Sequence, residues 1–130
     1  NGCFPEYHTS ADNLEFIQPA CLAESIRALA GIIAVLDENR SLKNLSPKGE
    51  PRLGKRGLYG TVGGTAPGAF EHALLWVLSF SDGAHDLLSI AQRSGLEFDL
   101  LARAAAALEG ARLASTMDDE QVKAKPGVCK

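Results

Sequence analysis

His8 is the side chain whose surroundings come closest to a metal-binding loop. It lies in the polar run Glu6-Tyr7-His8-Thr9-Ser10-Ala11-Asp12-Asn13-Leu14, with carboxylates on both sides. Protein zinc sites need three or four Cys, His, Asp or Glu ligands, and catalytic ones keep a further position open for water or substrate. The rest of the chain offers little to complete such a set. Its other histidines are His72 and His85, and its cysteines, Cys3, Cys21 and Cys129, form neither a CxxC pair nor a Cys/His finger spacing. HExxH, GxSxG, a glycine-rich phosphate loop and the EF-hand pattern are all absent from the 130 residues. The residues therefore spell no complete active site, and His72 and His85, without a partner cluster, read as structural.

The elements that would have to position His8 follow it directly. From Pro19 to Asn39 the residues Leu22, Ile26, Leu29, Ile33 and Leu36 recur at steps of four and three, the period of one helix face. Pro19 suits a first helical turn, and Glu24 lies toward the favourable end of the dipole. Ile32 and Val35 widen the stripe, so this helix must pack on a surface that the few residues before it cannot supply. Uninterrupted apolar runs fall short of the ~20 residues that cross a bilayer, so no membrane helix is expected.

Ser41 to Gly68 carries Pro47, Pro51, Pro67 and seven glycines, which predicts an extended, turn-rich strap and a domain boundary. Leu42, Leu45, Leu53, Leu58, Tyr59 and Val62 imply that the strap lies against protein. Ala69 to Phe80 then reads as a helix with Phe70, Ala73, Leu74, Val77 and Leu78 inward and Trp76 on a flank. A turn is expected at Ser81-Asp82-Gly83, a short helix at Asp86 to Arg93 stopped by Ser94-Gly95, and a third helix from Phe98 to Glu109 capped by Gly110. Three helices with a tight glycine turn between the last two match a helix-turn-helix. Leu113 to Val122 would add a hairpin with its turn at Met117-Asp118-Asp119.

Charge is segregated along this order. Residues 1–39 carry one base and six acids, residues 40–60 six bases and one acid, residues 61–120 three bases and nine acids, and the last ten residues three lysines, for a net charge of −3. A basic strap thus separates two acidic bodies and could brace one against the other, with solvated surface charge as the plainer reading. Composition, 45% hydrophobic and 22% charged, fits a folded chain. Three widely spaced cysteines suggest a reducing cytoplasm, and a start at Asn1 without methionine suggests a piece of a longer protein.

Two of these stretches together resemble a known family. Glu6 to Ile17 (EYHTSADNLEFI) resembles the late metal-ligand loop of co-catalytic zinc aminopeptidases. Asn44 to Tyr59 (NLSPKGEPRLGKRGLY), with the helix-turn-helix after it, resembles the C-terminal region of bacterial aminopeptidase-like proteins in which a winged helix-turn-helix follows a zinc-peptidase domain. The resemblance implies a mainly α chain with minor β: residues 1–40 the terminal loop-helix segment of an α/β zinc-peptidase domain, 41–68 a basic connecting strap, 69–122 the winged helix-turn-helix, and 123–130 a basic tail. It implies that His8 is a zinc ligand, that Pro19 to Asn39 is the peptidase domain's last helix, and that the upstream peptidase domain supplies the remaining ligands and the general base. Hydrolysis would then be metal-assisted in the complete protein, with no catalytic residue in this chain and no tight zinc binding by it alone.

A helix-turn-helix raises the competing expectation of a small DNA-binding regulator. Its second helix must present donors to bases and phosphates, but Glu97-Phe98-Asp99-Leu100-Leu101-Ala102-Arg103 offers two acids and one arginine. The expected wing is acidic at Asp118, Asp119 and Glu120. Intramolecular or protein contacts, self-association included, are therefore expected in place of nucleic acid. The strap bases Lys43, Lys48, Arg52, Lys55 and Arg56 could attract an anion, yet lack the interleaved aromatic residues of a single-strand platform.

Overall fold

A computed structural model describes residues 4–49, 51–59 and 68–117, and the chain divides into two compact units, residues 1–37 and 38–130. The N-terminal unit is a chain of tight turns leading into α1 (Pro19–Glu38). Pro19 opens the helix as expected, whereas Glu24 falls in the second turn and the first turn holds no acid. No residue of α1 is buried. Its apolar stripe stands open to solvent, from Leu22 at 54% exposed to Leu36 at 68%.

The expectation that nothing here could span a bilayer needs correction. Over an 18-residue window α1 has a mean hydropathy of 1.7, so it passes the length and composition test for crossing a membrane. Alanines and Cys21 between the larger side chains raise the average even though no apolar run is unbroken. The same test is passed by the core helix of a soluble domain.

The second unit is built around a three-stranded sheet in the order β2-β1-β3, with β1 (Ser41–Asn44), β2 (Asp82–Asp86) and β3 (Ala114–Thr116). Both pairings are antiparallel, β1 matching Leu42 with Thr116 and Asn44 with Ala114 on one side, and Ser41 with Asp86 on the other. Around the sheet pack α2 (Ala69–Phe80), α3 (Leu87–Ser94) and α4 (Phe98–Gly110). The core is aliphatic: Leu42, Leu53, Leu74, Val77, Leu87, Ile90, Leu101, Leu108 and Leu113 are all fully buried.

Three differences from the sequence reading have identifiable causes. The segment read as a connecting strap contributes the central strand: Leu42 and Leu53 are core residues, and the boundary between units falls between Asp37 and Glu38. High Pro and Gly content marked irregular backbone correctly but hid a four-residue strand. The turn expected at Ser81-Asp82-Gly83 is a bulged strand. Asp82 Oδ1 accepts from the N–H groups of Ala84 (2.7 Å) and His85 (3.1 Å), Gly83 adopts φ 77°, and the pairing with β1 shifts register there. Turn chemistry was present, inserted within a ladder.

The third difference is the end of α4. Gly110 was expected just beyond the helix and is its last residue; the left-handed position falls on Arg112 at φ 55°. Leu113 N–H donates to the Leu108 carbonyl (2.9 Å) and Arg112 N–H to that of Glu109 (2.9 Å), the paired closure of a Schellman motif. Leu113 is thereby driven into the core and the chain turned into β3. The acidic turn at Asp118-Asp119, the second strand of the expected hairpin and the basic tail lie outside the described residues.

Candidate functional site

The loop carrying His8 is ordered by its own side chains. Thr9 Oγ1 donates to the Glu6 carbonyl (2.7 Å) and accepts from Ala11 N–H (3.2 Å), while Asn13 Oδ1 accepts from Glu15 N–H (2.8 Å). His8 sits at φ 60° in the left-handed region, exposed, with its ring 4.0 Å from that of Tyr7. Among the described residues no group of three or more His, Cys, Asp or Glu side chains could hold a metal ion. Among the described residues His8 thus belongs to no group of three such side chains.

The helix-turn-helix face follows the sequence reading closely. Asp86 caps α3, accepting from Ser89 N–H (2.8 Å) and from the Ser89 hydroxyl, and Gly95 at φ 71° ends the helix. Burial, the largest single influence on Asp86, works to raise its pKa; hydrogen bonds from Ser89 and Asn39 together outweigh it and hold the carboxyl below its usual value. Asn39 braces this cap, donating to Asp86 Oδ2 (2.9 Å) and accepting from Leu88 N–H (2.9 Å).

On α4 and the turn before it, the exposed positions are Glu97, Asp99, Arg103, Ala106 and Gly110. Arg103 lies over the Phe70 ring at 5.9 Å, and Glu109 is paired with Arg40 at 2.9 Å and with the Thr116 hydroxyl. The surface that would enter a groove of DNA thus shows two carboxylates and one arginine. The strap bases Lys43, Lys48, Arg52, Lys55 and Arg56 are all exposed, and Arg56 donates to the Ala111 carbonyl (2.8 Å), binding the strap to the end of α4.

A feature that sequence reasoning missed lies on the opposite side of α2. Trp76 and Phe80 stack at 5.4 Å between centroids, His85 meets Phe80 edge-on at 5.1 Å, and the Arg93 guanidinium lies 5.3 Å from the Phe80 centroid. His85, read as structural, is on β2 with Nδ1 3.0 Å from Asp82 Oδ2. Two adjoining hollows, about 280 and 170 Å³, share Leu75 and Trp76 and extend to Phe80 and His72. The signal in the sequence was the spacing of Leu75, Trp76, Ser79 and Phe80, a second stripe on α2 beside the one facing the core.

A three-stranded sheet with a tightly turned helix pair and a strand leaving the second helix defines a winged helix-turn-helix. The chain belongs to that family, whose sequence model matches residues 40–116. Residues 1–39 match a separate domain of unknown function. A Clostridium acetobutylicum protein named "Putative polysaccharide biosynthesis protein with aminopeptidase-like domain" is 47% identical over 106 residues, 81% of this chain and 24% of that protein. The crystal structure of a "putative peptidase" from Clostridium acetobutylicum superimposes with a TM-score of 0.74 at 41% identity, covering 88% of this chain and 24% of that one. This chain thus spans about a quarter of the length of these relatives. The winged unit is less than three quarters of the chain, so the structural match also reaches into the N-terminal unit. The likeness to the C-terminal region of aminopeptidase-like proteins holds at that level: the relatives bear peptidase-like names, and the structural match covers the winged helix and reaches into the N-terminal unit.

Proposed function

We propose that this chain is the C-terminal part of a zinc-dependent aminopeptidase-like hydrolase, and that its winged helix-turn-helix makes intramolecular or protein contacts and does not read DNA. The observation that carries the second half is the α4 face, where Glu97 and Asp99 are exposed and the one exposed base, Arg103, rests on Phe70. Phosphate contacts supply most non-specific DNA affinity, and such a face repels them. The first half is supported by the relatives' names and by a match that extends through both units.

Within this reading His8 contributes one zinc ligand to a site completed by residues of the longer protein, and the chain alone neither holds zinc tightly nor hydrolyses peptides. The bare stripe of α1 is the face turned toward the rest of the peptidase-like domain, and the protein works in the cytoplasm. Charges at Glu24 and Arg27 in the body of α1 favour a domain helix over a bilayer span.

Two measurements test the proposal. In a gel shift on generic duplex DNA across a salt series, no retardation near physiological salt is expected; clear binding that weakens steeply with salt would make the module a DNA reader. Elemental analysis of the complete protein should find zinc, lowered by His8→Ala, and none bound stoichiometrically by the 130-residue chain. A metal content indifferent to His8 removes its role as ligand.

A further inference from the structure

We draw no further inference here: the strongest candidate, the apolar hollow of about 360 Å³ at the start of α1, lined by Asp12, Phe16, Ile17, Cys21 and Leu22, adjoins the bare stripe of that helix through Leu22, and nothing in the structure shows what covers it.

Discussion

At the scale of single residues, the side chains that matter most are those that stop or start backbone ladders. Asp86 caps α3, receives Asn39 and closes β2, so two elements and the residue at the central strand's approach converge on one carboxylate. Its folded pKa is depressed, so its contribution to stability is fully present above the unfolded value near ~4 and is lost as pH falls through the folded pKa. Acid titration of the winged unit should therefore show a loss of stability beginning below about pH 4 that Asp86→Asn flattens; chemical denaturation at a series of pH values measures it, and an unaltered profile would remove Asp86 from the account. Asp86 was legible in the sequence as the start of a helix, because capping chemistry is local. The left-handed Arg112 was not, since glycine is the residue that marks such a position and Gly110 stands two residues too early.

At the scale of elements, the helices were legible, as was β3 within the hairpin expected from Leu113, while β1 and β2 were not. α2 and α4 carry apolar periodicity over three turns, and their spans were read to within a residue at either end. The strands are three to five residues long, too short to establish alternation, and one contains a turn signal while another lies in a segment rich in proline and glycine. Beyond the strand and its core residue Leu42, the strap is tied to the core by Leu53, 1% exposed at the start of a 3-10 turn. Leu53→Ala should cost the winged unit about 2–4 kcal/mol through lost burial and an unfilled cavity. The urea midpoint gives the value, and a change below ~0.5 kcal/mol would show that the 3-10 turn adds nothing to the core.

At the scale of the whole molecule, the two units differ in kind. The winged unit has its own core, whereas α1 buries none of its residues. Deleting residues 1–37 should therefore leave the winged unit's unfolding free energy within about 0.5 kcal/mol of its value in the full chain, as expected for independent regions; a larger fall by matched urea melts would show that the units share stability. How the fold divides was only half legible, because proline and glycine mark irregular backbone as readily inside a domain as between domains. The candidate metal loop was legible as a motif and the aromatic cluster around Phe80 was not: a motif is contiguous, while the cluster assembles α2, β2 and α3 across folded space. The bare stripe of α1 has one more consequence, for surveillance inside a cell. Chaperones and proteases triage chains by the hydrophobic surface they display. On the proposed reading, in which a larger domain covers α1, a copy of this segment parted from that domain would stay folded at one end and be marked as incomplete at the other, so the winged helix would be cleared with its remnant instead of circulating as a free module.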